Sequence, residues 1–369
     1  MGGFEMSSFD NNYWNSSDNS ILQKQIDEDT IYSTITKLNF NGKIIISTSG
    51  TTSSPRLTVI SKRAMLCSAN SVNTHLNICS KDKWICCLPT THVSGLSIHA
   101  RAALSGSGLV QFEGKWSPNN FINQVRTHQV TLCSLVPSQL HDIISLDLRP
   151  NDEMRALIIG GDNLQDKMRD KALDLGWPIL RTYGMTETCS QVATEICPGD
   201  GMKPLEIWNI RLNDDHELLV KGDALFDGYI EQVNGTLSFN SPFSDNDWLM
   251  TGDIGILNND RINIIGRKDE QIKILGEKID IEHLRSFAAA SYGQSITLVA
   301  APDSRKGNRI VMVAESTSDQ QSAFEQYNSS VRSIERADEL LVIDKLPRSS
   351  LGKLRLRRLY EMLENRSDA

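Results

Sequence analysis

The chain has 369 residues, of which 39% are hydrophobic and 23% charged, a globular composition that excludes wholesale disorder. At about 150 residues per domain, this length predicts two or three domains. Acidic residues outnumber basic ones by 46 to 38, giving a formal net charge of -8. Nucleic acid is therefore disfavoured as the principal partner, because phosphate backbones are bound by clustered positive charge. No apolar run reaches the roughly 18 residues of a membrane span.

The first 20 residues are polar and lack both the cationic start and the apolar centre of a signal peptide. We interpret residues 1–20 as a disordered leader, with Met6 as an alternative start to Met1. The seven cysteines all lie between Cys67 and Cys197, and no two pairs have the spacing of metal ligands. They predict reduced, mostly buried thiols in a cytoplasmic protein.

Taken in chain order, hydrophobic periodicity predicts alternating helices and strands up to about residue 182. Strands that alternate with helices at this spacing indicate a parallel sheet with helical crossovers. The predicted helices cover 21–38, 62–80, 94–104, 118–128 and 164–175, with another helical stretch between the strands at 130–136 and 155–159. The other predicted strands are 43–47, 84–88, 108–112 and 178–182.

Beyond about residue 205 the pattern changes to short strands broken by Asn, Asp and Gly, which predict a small antiparallel β-unit. These strands cover 206–212, 216–222, 247–257 and 261–265. Strand and helix signals then resume for about 100 residues, with strands at 296–301, 309–315 and 339–343 and a helix near 280–291. We therefore place a domain boundary at 267–269, which divides an N-terminal domain (21–267) from a C-terminal domain (268–369).

The first candidate functional motif is STSGTTSSPR, residues 47–56, directly after a predicted strand. Gly50 permits a tight turn in which successive amide groups converge on one point. The hydroxyls of Ser49, Thr51 and Thr52 add further donors. Such a loop suits the phosphates of a nucleotide, although an exposed Ser/Thr-rich linker has the same composition.

The second motif is RTYGMTET, residues 181–188, which also follows a predicted strand. The carboxylate of Glu187, close to a glycine turn, can hold Mg²⁺ beside phosphates. Thr186 can donate to the same phosphate, or it can instead be the N-cap of a helix.

Two further motifs lie in the last third of the chain. In WLMTGD (248–253), followed by GRKD (266–269), Asp253 at a strand end and Arg267 can together hold a ribose diol. In LPRSSLGK (346–353), Lys353 beside a glycine is a mobile cation suited to a phosphate, or part of a basic surface.

Together, the order and spacing of these four motifs resemble the adenylate-forming superfamily of acyl-CoA synthetases, peptide-synthetase adenylation domains and luciferases. The superfamily's phosphate loop, T-S-G-T-T-G-x-P-K-G, is matched by 48–56, with Ser53 for Gly and Arg56 for Lys. YGMTET (183–188) matches outright. Further matches are GGD (160–162) at the adenine turn, HELLVKGDALFDGY (216–229), TGD (251–253), GRKD (266–269) and the P-x-x-x-x-G-K segment (347–353).

The resemblance implies an α/β acyl-CoA synthetase-like fold. Its large N-terminal domain carries a parallel sheet and a small β-unit, and its smaller α+β C-terminal domain is mobile. It also implies an AMP-forming acid–thiol ligase that uses ATP, Mg²⁺ and coenzyme A. The implied nucleotide-binding residues are Thr48, Ser49, Gly50, Thr51, Thr52, Arg56, Gly160, Gly161, Asp162, Tyr183, Gly184, Met185, Asp253 and Arg267.

The implied catalytic residues are Lys353, Thr186, Glu187 and His92, with Mg²⁺ on Glu187. Asp269 matches the hinge of the C-terminal domain, and Gly276 lies on the side that meets CoA.

The sequence departs from the superfamily in two places. Only 47 residues precede Thr48, where relatives have well over a hundred, so we expect most of the first subdomain to be missing. Leu275 stands where a second glycine often precedes Gly276, in a segment that lines the pantetheine tunnel of relatives.

The acid that is activated is suggested by PTTHVSGLSIHAR, residues 89–101, which in the superfamily forms a wall of the acyl pocket from His92 onward. Here an otherwise apolar helix carries Arg101, and a buried charge is costly unless it is paired. A substrate carboxylate would pair with it bidentately. The pattern, with His92, Ser94 and Arg101 as substrate residues, resembles the 2-succinylbenzoate–CoA ligases of menaquinone biosynthesis. Alternatively, Arg101 extends to the surface or pairs with a protein acid. His99 is interpreted as a packed or surface histidine.

Several functional classes remain open at this point. The alternatives are another aryl- or acyl-CoA ligase, an adenylating enzyme that passes its acyl group to an amine or carrier protein, and a binding module without turnover. The presence of Lys353, Glu187 and Asp253 argues against the last of these. The expected partners are a small carboxylic acid, ATP and CoA, and a homodimer is possible because relatives are often dimers.

Overall fold

In the computed structural model, the chain forms two compact units. The first comprises Met1–Arg211, Leu219–Leu249 and Leu257–Ile262, and the second comprises Leu212–Leu218, Met250–Ile256 and Asn263–Ala369. The predicted boundary at 267–269 stays a prediction. The structure describes residues 9–22, 28–47, 56–162, 164, 166–233, 236–243, 247–268, 271–275, 277–303, 306–316, 319–349, 352, 354–356, 358–360 and 362.

The helices of this described part follow the predicted ones closely between residues 62 and 175. They are α1 (Asn11–Asn15), α2 (Glu28–Lys37), α3 (Lys62–His75), α4 (Val93–Ser105), α5 (Pro118–Thr127), α6 (Pro137–Ser145), α7 (Asp166–Asp174), α8 (Ile281–Tyr292) and α9 (Gln320–Ser330). No helix among the described residues is long and apolar enough to cross a membrane.

The strands include all those predicted and several that sequence periodicity missed. They are β1 (Ser20–Leu22), β2 (Lys43–Ser47), β3 (Arg56–Ser61), β4 (Lys83–Cys86), β5 (Gly108–Gln111), β6 (Leu132–Leu135), β7 (Ala156–Ile159), β8 (Ile179–Met185), β9 (Ser190–Thr194), β10 (Lys203–Pro204), β11 (Trp208–Leu212), β12 (Glu217–Gly222), β13 (Gly228–Val233), β14 (Thr236–Asn240), β15 (Leu249–Asn258), β16 (Arg261–Arg267), β17 (Gln271–Ile274), β18 (Glu277–Asp280), β19 (Ile296–Asp303), β20 (Gly307–Glu315) and β21 (Ala337–Ile343).

The main sheet of the first unit has seven strands in the order β10-β9-β8-β7-β6-β4-β5. The five strands from β8 to β5 are parallel, as the sequence predicted, and β9 and β10 add an antiparallel edge. The core on one face includes Phe121 and Trp177, whose rings stack with centroids 6.2 Å apart. Because the carboxyl ends of parallel strands meet at one edge, the loops after β4, β7 and β8 lie along the same side.

The N-terminal residues are structured from Phe9 onward, so the prediction of a disordered leader is wrong for residues 9–20. The carboxylate of Asp10 accepts a hydrogen bond from the Tyr13 amide and starts α1. Phe9 and Trp14 are buried. These few aromatic side chains pack onto distant parts of the first unit, which polar composition alone does not predict. Residues 1–8 lie outside the described part of the chain.

The helix predicted over 21–38 begins only at Glu28, because Ser20–Leu22 forms β1 and pairs in parallel with β2. This strand belongs to a second, five-stranded sheet in the order β1-β2-β3-β13-β14. Strand β13 pairs antiparallel with β3, and the sheet covers a core that includes Ile45, Val59 and Ile230. Hydrophobic periodicity gives no signal for β13 or β14, and β13 pairs with β3, which lies far away in the chain.

The second unit is built on the three-stranded sheet β19-β20-β21, which confirms the three strands predicted there. Along β20, alternate residues face two different cores. Ile310 and Met312 pack beneath α8 and α9, whereas Val311 and Val313 pack against Leu359 on the other face. The predicted short strands around residues 206–265 are neighbours in a four-stranded sheet of order β11-β12-β15-β16.

Leu275 occupies the turn between β17 and β18 with a backbone φ of 50°, in the left-handed region. Its side chain is 63% exposed, and its amide donates to the Lys306 carbonyl at 2.8 Å. This conformation is about 1–2 kcal/mol less favourable for a residue that has a Cβ atom. The glycine that relatives often have at this position is therefore explained by backbone geometry.

Leu275→Gly should stabilise the protein, because the relief of backbone strain exceeds the roughly 0.5–1 kcal/mol that glycine costs through chain entropy. We expect a rise of up to about 1 kcal/mol in the free energy of unfolding, measured as a shift of the urea midpoint. The matched control is Val342→Gly, a 39% exposed residue within strand β21. Val342→Gly should lower the midpoint, and a fall for Leu275→Gly as well would contradict the strain argument.

Candidate active site

Helix α4 is held tightly against the loop that follows β4. A Cβ at Gly95 would lie 2.3 Å from the Pro89 carbonyl oxygen, so only glycine permits this approach. His92 is the N-cap residue; its amide donates to the Pro89 carbonyl and its carbonyl accepts from the Leu96 amide. The predicted substrate residues His92 and Ser94 are both half-buried in the first turn.

Arg101 lies in the same helix and is only 1% exposed, so the alternative that it extends to the surface is wrong. Its Nη2 donates to the Ser190 hydroxyl at 3.2 Å, and its guanidinium carbon lies 5.6 Å from the centroid of the Trp84 ring. Within the described part of the chain, its Nε has no acceptor and no carboxylate forms a salt bridge with its guanidinium.

Burial lowers the pKa of Arg101 to about 10, which still leaves the guanidinium charged at neutral pH. A buried cation without a counter-ion is costly, and a ligand carboxylate would supply the missing charge. The site is therefore suited to an anionic group of the substrate.

The YGMTET segment forms the end of β8 and a tight turn. Strand β8 runs to Met185, a 3-10 turn covers Thr186–Thr188, and β9 begins at Ser190. The Thr188 hydroxyl oxygen lies 3.0 and 3.1 Å from the carbonyl oxygens of Met185 and Ser190, which share its single proton. Thr186 is the first residue of the turn and Met185 occupies the cap position, so the alternative that Thr186 is a helix N-cap is wrong.

Glu187 is oriented by Tyr229, whose hydroxyl donates to Oε1 at 2.8 Å. Burial, followed by the nearby Glu187 charge, raises the pKa of Tyr229, so the phenol stays protonated and remains a donor. Oε2 of Glu187 has no hydrogen-bond partner among the described residues. An ionised oxygen of this kind fits Mg²⁺, which prefers one or two carboxylates together with phosphate oxygens.

No group of three or more His, Cys, Asp or Glu side chains within the described ranges could hold a metal ion.

Arg56 was predicted to close the phosphate loop, and the structure places it at the start of β3. Its Nε lies 2.6 Å from Oε1 of Glu231, and its guanidinium carbon is 4.4 Å from the Tyr229 ring centroid. Arg56 thus supports Tyr229, which in turn orients Glu187.

The predicted adenine turn follows β7 directly, as expected. Gly160 donates its amide to the Leu135 carbonyl, Gly161 has a left-handed φ of 84°, and Asp162 is exposed. Strand β7 pairs with β8, so this turn and the YGMTET segment follow adjacent parallel strands.

In the second unit, the TGD motif is held by hydrogen bonds and an ion pair. Asp253 is 7% exposed, its amide donates to the Thr251 hydroxyl, and its Oδ1 lies 3.3 Å from Nη1 of Arg267. The amide of Gly252 donates to Glu217, which also pairs with Lys268 at 3.0 Å. The two residues predicted to hold a ribose are thus brought together.

Hydrogen bonds also fix the segment before the predicted catalytic lysine, in the same unit. Arg348 forms an antiparallel bridge with Leu354, and its Nη1 donates to the Gly352 carbonyl at 2.9 Å. Several predicted site residues lie outside the described residues: Thr48, Ser49, Gly50, Thr51, Thr52, Asp269, Gly276 and Lys353.

Sequence reasoning missed two residues that the structure brings to the site. Tyr229 is the last residue of the HELLVKGDALFDGY segment. The resemblance matched this segment as a motif but gave no role to its tyrosine. Ser190 follows YGMTET by two positions, and only its contact with Arg101 distinguishes it from an ordinary strand residue.

A comparison with known families finds that the AMP-binding enzyme family matches residues 41–230. The chain belongs to this family. The matched range contains Arg101, Glu187 and Tyr229.

Similar AMP-binding enzymes include the 2-succinylbenzoate–CoA ligase of Listeria monocytogenes, which is 28% identical over 333 residues, or 86% of this chain and 69% of the relative. Among solved structures, the o-succinylbenzoate CoA synthetase of Bacillus subtilis in complex with its acyl-adenylate intermediate matches with a TM-score of 0.75 and 25% identity, covering 86% of this chain and 68% of the other. The same enzyme in complex with ATP and magnesium ion gives 0.73 and 26%, over 86% and 69%. The chain therefore spans about two thirds of the length of these relatives, and the acyl-CoA synthetase-like fold predicted from sequence is confirmed.

Proposed function

We propose that the chain is an ATP-dependent carboxylate–CoA ligase that converts 2-succinylbenzoate into 2-succinylbenzoyl-CoA through an acyl-adenylate, as in menaquinone biosynthesis. The observation that carries the choice of acid is Arg101, a buried guanidinium with no carboxylate partner among the described residues. A dicarboxylate can place one carboxylate on this cation while the other reacts. Support for the ligase comes from relatives that are named 2-succinylbenzoate–CoA ligases.

In the first half-reaction, the substrate carboxylate attacks the α-phosphorus of ATP, and pyrophosphate leaves. Neither reactant needs a protein nucleophile, so catalysis is mainly positioning and neutralisation of charge. We assign the β- and γ-phosphates to the loop Thr48–Arg56, the α-phosphate to Thr186 and the ribose to Asp253 and Arg267. Lys353 would offset the repulsion between the carboxylate and the α-phosphate.

Magnesium, when bound, neutralises phosphate charge, and Glu187 is the residue that would hold it. Tyr229 keeps the Glu187 carboxylate in place by donating to Oε1. In the second half-reaction, the thiol of CoA attacks the acyl-adenylate carbonyl, and AMP leaves. We assign the hinge of the C-terminal domain to Asp269 and the CoA side to Gly276.

A panel of acids in a pyrophosphate-release assay with MgATP and CoA tests this proposal. We expect 2-succinylbenzoate to give the highest kcat/KM, with AMP, pyrophosphate and thioester formed in equal amounts. A higher value for an aromatic or aliphatic monoacid would reassign the enzyme to the general aryl- or acyl-CoA ligases. Pyrophosphate release without a CoA thioester would instead favour an enzyme that passes the acyl group to an amine or a carrier protein.

We also propose that the enzyme acts in the cytoplasm, where ATP and CoA are available. All seven cysteines are free, as in proteins of a reducing compartment. A homodimer remains a prediction from the resemblance, and sedimentation of the purified enzyme distinguishes it from a monomer.

A further inference from the structure

Two serines connect the guanidinium of Arg101 to the rest of the first unit. Arg101 Nη2 lies 3.2 Å from the Ser190 hydroxyl, which lies 3.3 Å from the Ser97 hydroxyl. The Ser97 hydroxyl is in turn 3.0 Å from the Ser94 carbonyl oxygen. Ser97 is only 1% exposed, so the chain of contacts runs through the interior.

The directions of these hydrogen bonds follow from proton counting. Each hydroxyl has one proton, a carbonyl can only accept, and a guanidinium can only donate. The Ser190 hydroxyl therefore accepts from Nη2 of Arg101 and from Ser97, whose single proton is shared between the Ser190 hydroxyl and the Ser94 carbonyl. These contacts engage Nη2 of Arg101, whereas its Nε has no hydrogen-bond partner among the described residues.

The backbone that carries the Ser190 hydroxyl is strained. Ser190 has a φ of 105°, which serine rarely adopts, and Cys189 before it has a φ of 52°. The register of β8 and β9 shifts nearby, between Tyr183 and Gly184. A Cβ at Gly184 would lie 1.7 Å from the Ser190 carbonyl oxygen, so the strained hairpin also requires glycine on the facing strand.

We propose that Ser190, supported by Ser97, is a positioning residue that fixes the Arg101 guanidinium so that Nε is presented to the second carboxylate of the acid. Ser190 thereby sets the preference for a dicarboxylic acid over a monoacid. This inference rests on the proposed function, since it deepens the account of the same acyl site. It also links acid selection to the nucleotide segment, because Ser190 follows Thr186 and Glu187 in the same hairpin.

The test compares kcat and KM for 2-succinylbenzoate and for its analogue without the ring carboxylate, in wild type and Ser190→Gly. Glycine removes the hydroxyl and accommodates the φ of 105° without strain, so the unfolding midpoint should not fall. We expect KM for the diacid to rise about tenfold, with kcat little changed. A tenfold change corresponds to the free energy of one lost hydrogen bond. Kinetics with the monoacid should stay as in wild type.

Ser97→Ala provides a second variant, and we expect a smaller rise in the same KM. The matched control is Ser105→Ala, because the Ser105 hydroxyl donates at 2.8 Å to the backbone carbonyl of Arg101 and not to its guanidinium. Ser105→Ala should leave the preference for the diacid intact.

The outcomes separate this inference from the proposed function. If wild type prefers the diacid and Ser190→Gly keeps that preference, or loses activity equally on both acids, the positioning role is overturned and the proposed function stands. If wild type shows no preference for a second carboxylate, the proposed substrate fails, and the role of Ser190 fails with it.

Discussion

Arg101→Leu is expected to lower kcat/KM for 2-succinylbenzoate by a factor of roughly 30 to several thousand. This factor corresponds to a loss of about 2–5 kcal/mol of transition-state stabilisation. Without the guanidinium, the second carboxylate of the substrate would be buried with no partner. The analogue that lacks the ring carboxylate should lose little, and MgATP affinity should hardly change. Steady-state kinetics with both acids measure this difference.

The same substitution should leave the protein at least as stable as wild type. Replacing an unpaired buried charge with an apolar side chain of similar size is often neutral or stabilising, and Arg101 has no carboxylate partner among the described residues. A matched control is Arg126→Leu in α5, where the guanidinium donates to the exposed backbone carbonyl of Arg149. If Arg101→Leu reduced activity equally on both acids, Arg101 would be a structural residue and the dicarboxylate proposal would fail.

Lys353→Ala should cripple formation of the acyl-adenylate and leave thioester formation from supplied acyl-adenylate nearly intact. The side chain is needed where two anions meet, and loss of such a charge-assisted contact is worth about 2–4 kcal/mol, or about 30- to 1000-fold in rate. Single-turnover pyrophosphate release measures the first half-reaction, and CoA consumption with preformed acyl-adenylate measures the second.

Lys345→Ala is the control for this prediction, since Lys345 is an exposed lysine eight positions earlier in the same segment. It should leave both half-reactions unchanged. Equal damage to both half-reactions by Lys353→Ala would contradict a role confined to adenylation.

The sequence by itself determined the parallel sheet, the order of its strands and helices between residues 62 and 185, and the family. Alternation of buried strands with amphipathic helices is a local pattern, so it can be read within windows of a few residues. The same local pattern predicted that YGMTET and the glycines 160–161 follow strands, and in the structure they do. Each follows its own strand directly, and parallel strands end at one edge of the sheet.

Only the tertiary structure decided which distant residues meet. Strand β13 pairs with β3, far away in the chain, and the Arg101 guanidinium meets Ser190 across 89 positions. Phe9 and Trp14 lie in a polar stretch and are buried because other elements cover them. Whether a charged side chain is paired, exposed or buried without a counter-ion depends on every element packed around it. Local sequence patterns carry no such information, and so the unpaired charge of Arg101 and its support by Ser190 could be recognised only in the fold.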